Sequence, residues 1–507
     1  MKKYLSCLLF SIFLVGNSFG QTIRITEDFP ESGKFILGIW KTKIVSSIGL
    51  SGIFVVDTAA QPSIRNQVLL SPELPHKSEG WLLKAFVQGQ FLYEIHYVSS
   101  EKQVSLEEGR RSILVKRDIE TLKIVSQKEL PKAYLNLKFC KSDDTGFSFC
   151  LGDTDPTVNP ERIYQPKLSL RKVIPRVIYR FDFDLDMKWS FDFSEYDYRS
   201  NKFMNEWNMN EDGNLFLPLF VKEEGKLDNR YLFSRIDLLQ IEKRTGSVST
   251  IELDVPEWDF EIGSTYFTWS SGKEITCHVI VTKRFGEELP QKKKSGFYFL
   301  KWSSTGRVLD SKLEWFEYAD FVSHDNREFL EKLKLNEGED HPFEVLSHND
   351  CYQTMPNGDI FFISDQVEDD SPELLNSKLL FMVSTEGKIL WKKLMVYDEH
   401  RLYNFFSHHI DGPNLYFYSR EYNENCRAGI YSFYPFSSMT DGTNINLYLR
   451  KIDLENGEVK SLVQIYPENT WWCEPEPFIF YDDMRKLHIA RFKNPKKNLE
   501  KMAIISF

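Results

Sequence analysis

The stretch Asp350–Leu394, DCYQTMPNGDIFFISDQVEDDSPELLNSKLLFMVSTEGKILWKKL, reads as four β-strands in succession. Asn357-Gly358 sits between two strand-like runs. That is the strongest short signal for a type I′ hairpin, whose two central positions both need positive φ. Ile360–Ile363 is the second strand. Val367–Asn376 is too rich in Asp, Glu and Ser to bury and reads as a loop. Leu379–Val383 is the third strand, Ser384-Thr385-Glu386-Gly387 a turn, and Lys388–Lys393 the fourth strand. The third strand is apolar at consecutive positions, whereas lysines interrupt the fourth. Continuous apolarity implies cover on both faces, and mixed polarity implies one wet face.

Versions of this unit recur from Trp81 to the C-terminus. The first pairs Trp81–Phe86 with Phe91–Tyr97 around Gly89, then Ser112–Lys116 with Leu122–Ser126. Later units turn at Asn210–Gly213 and Lys243–Gly246, at Ser271–Lys273 and Ser303–Gly306, and at Asp411–Asn414 and Leu454–Gly457. The last has three strands, Pro477–Tyr481, Lys486–Arg491 and Met502–Phe507, while Ile23–Thr26 is an unpartnered amphipathic strand near the N-terminus. Buried inner strands and a wetter outer strand are the pattern of a propeller blade, and lending the first strand to the last blade removes two open edges. The expected fold is therefore an all-β propeller of seven four-stranded blades closed by the N-terminal strand. Eight is the alternative if Phe35–Val56 makes a reduced blade. Gln61–His76, with three prolines, reads as a loop, and Asp325–Leu335 has the periodicity of one short helical insertion.

At 507 residues the chain exceeds one ordinary core, as expected of several domains or a closed repeat array. Phe dominates its 15% aromatic content, which suits sheet-on-sheet packing, and the net charge of −11 without a basic block argues against nucleic acid and anionic membranes. Residues 1–20 read as a secretory signal: Lys2-Lys3, an apolar run Tyr4–Gly16, and small Ser18 and Gly20 before Gln21. Residues 21–507 are then one exported propeller domain, periplasmic or extracellular, with no later stretch able to span a membrane and with a monomer expected.

The turns Arg244-Thr245-Gly246-Ser247 and Ser384–Trp391 resemble the T-G-K-x-L-W ends of quinoprotein-like propeller blades, with the tryptophan present at Trp391 and Trp189. The resemblance covers only the last hairpin of each unit, and it implies a propeller fold and no quinone cofactor.

Candidate sites follow from residue type. Thr470–Pro477 carries Trp471 and Trp472 beside Glu474 and Glu476. An exposed tryptophan with nearby acids stacks on a sugar ring and holds its hydroxyls, whereas a tryptophan wedged between blades is merely core. His408 and His409, with His348 and Asp350 one unit earlier, fall on first strands, which line a propeller channel, and have metal-ligand or acid–base capacity. Adjacent histidines on a strand face opposite ways, so one metal needs a bulge to bind both. Cys140 and Cys150 flank a turn and are candidates for a disulfide. Asp153-Thr154-Asp155 and Glu368-Asp369-Asp370 offer oxygen ligands to Ca²⁺ without EF-hand spacing, and no cofactor is expected. There is no P-loop, G-x-S-x-G, H-E-x-x-H or G-x-G-x-x-G. The leading expectation is a non-catalytic propeller that binds a protein, peptide or glycan. The alternatives are a carbohydrate-active enzyme using Glu474 or Glu476 with Asp350, and a structural part of a cell-envelope assembly.

Overall fold

The computed structural model describes residues 22–25, 29–30, 35–41, 43–48, 52–57, 63–69, 78–100, 110–134, 136–154, 173–193, 202–204, 208–210, 212–222, 233–256, 261–269, 274–285, 292–316, 345–355, 357–366, 378–395, 403–422, 445–466, 479–482, 487–494 and 499–506. Among them there is no helix, and every regular element is a β-strand. The expected signal segment, the helical insertion at 325–335 and the acidic loop at 368–370 lie outside the described residues.

After β1 (Thr22–Ile25) and β2 (Phe29–Pro30), the chain makes a sheet of β3 (Phe35–Trp40), β4 (Lys43–Ile48), β5 (Gly52–Asp57) and β6 (Ser63–Leu69). The second sheet is β7 (Ser78–Gln88), β8 (Phe91–Ser100), β9 (Arg110–Asp118) and β10 (Ile124–Glu129). The third is β11 (Asn136–Ser142), β12 (Gly146–Thr154), β13 (Val173–Asp182) and β14 (Met187–Asp192). In the fourth, a split first strand, β15 (Lys202–Met204) and β16 (Asn208–Met209), precedes β17 (Leu215–Lys222), β18 (Phe233–Ile241) and β19 (Val248–Leu253). The fifth is β20 (Glu261–Trp269), β21 (Ile275–Phe285), β22 (Lys292–Trp302) and β23 (Val308–Trp315). The sixth is β24 (Val345–Thr354), β25 (Ile360–Gln366), β26 (Lys378–Val383) and β27 (Ile389–Met395). The seventh is β28 (Tyr403–Asp411), β29 (Asn414–Tyr422), β30 (Ile445–Asp453) and β31 (Val459–Tyr466). The eighth joins β32 (Ile479–Asp482), β33 (Leu487–Asn494) and β34 (Leu499–Ser506) to β1, which runs antiparallel to β34 with Ile23 opposite Ile505.

The described residues thus form eight sheets where seven were expected. Phe35–Val56 belongs to a complete four-stranded sheet. Its last strand, β6, lies inside the segment 61–76 that reads as a loop. The sequence SIRNQVL of β6 carries only Ile64, Val68 and Leu69 as apolar signals, and the strand is held by pairing to β5.

In the sixth sheet the second and third strands are buried on both faces. Ile360–Ile363 of β25 and Leu379–Val383 of β26 are all within 3% of full burial. At roughly 1.5–3 kcal/mol for each large apolar side chain, these strands dominate the packing. Successive sheets share their cores. Leu92 and Ala85 of the second pack with Val45, Ile53 and Val55 of the first. Tyr93 and Leu114 pack with Phe147, Phe149 and Phe181 of the third. Cys150 and Ile178 meet Leu217 and Leu239 of the fourth, and Leu238 meets Cys277 and Trp302 of the fifth. Phe297 meets Phe362 and Phe381 of the sixth edge-on, and Phe361 and Leu380 pack with Leu415 and Ile452 of the seventh. First strands also adjoin: β3 with β7, β7 with β11, β20 with β24, β28 with β32, and β32 with β3.

The tryptophans of the sheet-ending turns pin one sheet to the next. Trp189 Nε1 donates to Lys243 O at 2.7 Å, and Trp391 Nε1 donates to Leu454 O at 2.6 Å. In both cases the ring lies over a left-handed glycine of the neighbouring turn, Gly246 (φ 71°) or Gly457 (φ 73°). A Cβ there would stand 2.7 Å from Trp189 Cγ or 2.9 Å from Trp391 Cε3, so the glycine serves both the turn and the close approach of the ring.

The Asn357-Gly358 hairpin differs from its expected type. Gly358 has φ of 90° but Asn357 is not at positive φ. Gly358 N donates to Met355 O, and Met355 N donates to Asp359 O. This is the three-residue hairpin with a left-handed glycine in a bulge. Asn357 Oδ1 accepts from Asp359 N at 3.1 Å, which favours that form over type I′.

Candidate functional site

Among the described residues the sheets depart from regular pairing at both outer strands, the fourth in six sheets and the first in seven. In β3, β7, β11 and β28 one extra residue interrupts the ladder with the second strand, and in the fourth sheet the first strand is divided. In β20, Gly263 and Ser264 stand against Ile280 alone. The pairs formed by second and third strands are regular throughout in six sheets, including β8–β9, β21–β22 and β25–β26. Bulges interrupt pairing and re-aim side chains, and they concentrate at functional edges.

The widest interruption is in β24. Leu346 pairs with Asp365 and Cys351 with Ile363, so Ser347, His348, Asn349 and Asp350 stand against Ser364 alone. His348 and Asp350, nominated by sequence as site residues, therefore share one excursion of a first strand. His408 and His409 do not. They pair in unbroken register with Phe417 and Tyr416, and the extra residue of β28 is Phe406, upstream of both. No bulge separates their two positions in the ladder. Trp471, Trp472, Glu474 and Glu476 lie outside the described residues.

The disulfide expectation is corrected. One extra residue in β11, Lys138, offsets the register so that Cys140 faces Phe149 and Cys150 faces Phe139. Cys140 packs against the core shared with the second sheet and Cys150 lies in the core shared with the fourth, and both thiols are free. Burial raises both thiols, Cys140 to about 12 and Cys150 further, so neither is a nucleophile at neutral pH.

Three polar features escaped the sequence reading. Glu94, His96 and Arg117 are each no more than 3% exposed, on the face of the second sheet that packs against the first. Arg117 Nε donates to Glu94 Oε1 at 2.7 Å, and Arg117 Nη1 donates to Leu122 O at 2.8 Å. His96 Nε2 lies 2.7 Å from Glu94 Oε2, and the carboxylate accepts. Leu122 has φ of 56° and sits in the turn between β9 and β10, so the cluster holds a strained turn against the interior. The signal was present in Leu92–Tyr97, LYEIHY, where two ionisable residues share one face of a buried strand. A second ionic group does similar work: Asp143 accepts from Arg180 Nη2 at 2.8 Å and lies 3.2 Å from Lys243 Nζ of the next sheet. Burial pushes the Asp143 carboxyl up, but bonds from Arg180 and Thr145 outweigh it and hold the group far below the usual range.

The third feature is His278, 1% exposed on β21. It sits among the rings of Phe297, Phe299 and Phe362, with Nδ1 unpartnered and Nε2 3.4 Å from Thr276 Oγ1. Burial lowers its pKa from 6.5 to about 3. The unfolded chain therefore binds a proton that the folded chain refuses across that window. Stability is complete above about pH 6.5 and is lost as pH falls toward about 3, by roughly 3 kcal/mol at about pH 4. His278→Phe is expected to flatten that part of the pH profile and to raise stability at low pH. Denaturation midpoints of both chains at neutral and acidic pH measure it, and parallel profiles would refute it.

Among the described residues no group of three or more His, Cys, Asp or Glu side chains is placed to hold a metal ion, and no helix is long and apolar enough to cross a membrane. The ionisable clusters above brace turns and sheet contacts.

No protein-family model matches the chain, and no curated protein matches it. Among solved structures it is similar to the propeller of Dos1, at 9% identity over 96% of this chain and 95% of that one, with a TM-score of 0.43. It is similar to the polysaccharide lyase Uly1, at 11% identity over 95% and 99% of the two chains, with a TM-score of 0.39. The beta-propeller domain of the Trilobed protease from Pyrococcus furiosus shares 12% identity over 84% of this chain and 93% of that one, with a TM-score of 0.36. At such identities and scores these are likenesses of architecture, and they bring no ligand or activity to this chain.

Proposed function

We propose that the chain is an exported eight-bladed β-propeller that works as a binding module for a glycan or a protein, with the first strands of its blades as the contact surface. Three contacts support the ring. Each sheet shares a core with its successor from the first to the seventh, β32 adjoins both β28 and β3, and β1 adds to β34. Export is read from Lys2-Lys3, the apolar run Tyr4–Gly16 and the small residues before Gln21.

The observation that carries the binding role is the wide break in pairing in the first strand of the sixth sheet. The second and third strands are committed to packing, and the described ionisable clusters to bracing turns. The first strands carry the widest interruption, four residues of β24 set against Ser364 alone, at the strands that line a propeller's channel.

The test is capture of the purified mature chain on immobilised polysaccharides and on envelope protein fractions, with product analysis of each polysaccharide after incubation. Saturable retention without polymer cleavage is expected. Catalytic depolymerisation would replace this reading with the carbohydrate-active enzyme, and absence of any saturable partner would remove it.

A further inference from the structure

We propose that two copies of this chain associate edge to edge through β23, antiparallel about a two-fold axis at Ser311, in place of the expected monomer. Among the described residues no strand lies beside the outer edge of β23, because the fifth sheet runs β20-β21-β22-β23 and ends there. Six of the eight residues of β23 are exposed. Val308, Leu309 and Leu313 are 37%, 53% and 40% exposed, three of the seven large apolar side chains left open among the described residues. The other four lie singly on four different fourth strands. An exposed apolar edge strand is a template for another strand unless charge or shape blocks it. The association uses an outer strand, so it stands or falls apart from the first-strand binding surface.

Hydrogen-bond parity and charge select a second copy as the occupant. Phe316 N donates to Ser295 O. Main-chain groups alternate sides along an antiparallel strand, so Glu314, Lys312 and Asp310 direct theirs to β22, opposite Phe297, Phe299 and Lys301. Ser311 and Leu313 direct theirs to the open side. Two copies meeting there must match outward residues with outward residues, which puts a central axis on Ser311, Lys312 or Leu313. An axis at Lys312 sets lysine against lysine and Asp310 against Glu314, and like charges directly opposite repel. An axis at Leu313 sets Lys312 against Glu314 but carries Leu309 past the end of the partner strand at Trp315. An axis at Ser311 sets Asp310 against Lys312 twice and brings Leu309 beside Leu313 twice. Leu309 is the extra residue of a bulge in β23, so it contributes its side chain and no ladder bond. The Asp310 and Lys312 side chains lie 3.1 Å apart in one strand and are still 40% and 46% exposed, open to a second copy. A lysine in mid-edge ordinarily wards off another strand. Here the two-fold answers it with an aspartate. One strand from each copy buries less than the ~1,200 Å² of a stable interface, so the dimer is weak and concentration-dependent.

Sedimentation velocity of the mature chain over a wide range of concentration is the test. The native chain is expected to pass reversibly from monomer to dimer, with no larger species, because a two-fold interface closes on itself. Asp310→Lys and Lys312→Asp each set like charges together at both repeats of the pair. Each is expected to weaken the dimer by about tenfold or more with unchanged thermal unfolding. The double variant Asp310→Lys with Lys312→Asp restores unlike pairs and is expected to recover native association. Under an axis at Leu313 the same double variant would set acid against acid and stay monomeric. Ser311→Cys leaves the charges alone and reads the axis even if a charge variant fails to fold, since a residue on the axis pairs with itself. It is expected to form an interchain disulfide under oxidation that the native chain does not form. A native chain monomeric at every concentration, open-ended association, a double variant no better than the single ones, or no cross-link at residue 311 would each overturn the proposal.

Discussion

Replacing Glu94 with glutamine is expected to destabilise the protein by about 3–5 kcal/mol, because Arg117 is left as a buried cation facing a neutral amide. Arg117 is 3% exposed and cannot turn to solvent. Its Nε and Nη2 both address the Glu94 carboxylate, while Nη1 holds Leu122 O. The double variant Glu94→Leu with Arg117→Met removes both charges. It is expected to recover most of the loss, retaining roughly 1–3 kcal/mol for the Leu122 carbonyl left without its donor. Chemical-denaturation midpoints of the native chain and the two variants decide the matter. A single variant as stable as native, or a double variant no better than the single, would show that the charges are not desolvated as the structure has them.

Joining the chain ends covalently is expected to have an effect of similar size and opposite sign. Thr22 and Ser506 are cross-strand partners in the pairing of β1 with β34. Cysteines at both positions fall at a spacing that a disulfide can bridge. The loop so closed contains nearly the whole chain, and the chain-entropy account allows up to about 6 kcal/mol for closing it. The oxidised variant is expected to unfold at a higher midpoint than the native chain, and reduction is expected to erase the difference. Cross-linked peptides identified by mass spectrometry establish the bond. Failure of the two cysteines to join under oxidising conditions would place the N-terminal strand elsewhere and remove the ring on which the proposed function depends.

Much of this architecture was legible in local patterns. Ile23 and Ile25 alternate with polar residues, and the last unit lacks a strand, so the partnership of β1 with β34 could be read before any coordinates. The consecutive apolar residues of β25 and β26 likewise announced burial on two faces. The tryptophans at Trp189 and Trp391 were visible in their turn motifs. Their role in pinning a neighbouring sheet was not, because the accepting carbonyls belong to Lys243 and Leu454, 54 and 63 residues away. Strand β6 was hidden for a related reason: it is made by the edge that β5 offers, and its own residues alternate only weakly.

What the amino-acid order determined alone is the repeating four-strand unit, since burial and turn formation depend on near neighbours and on a period of two. What only the tertiary structure decided is register. A single extra residue, Lys138, separates Cys140 from Cys150, and four residues set against Ser364 bring His348 and Asp350 into one excursion while His408 and His409 stay in unbroken register. Register depends on which strand supplies each hydrogen-bond partner, and that choice is made by packing between sheets, beyond the reach of any local pattern.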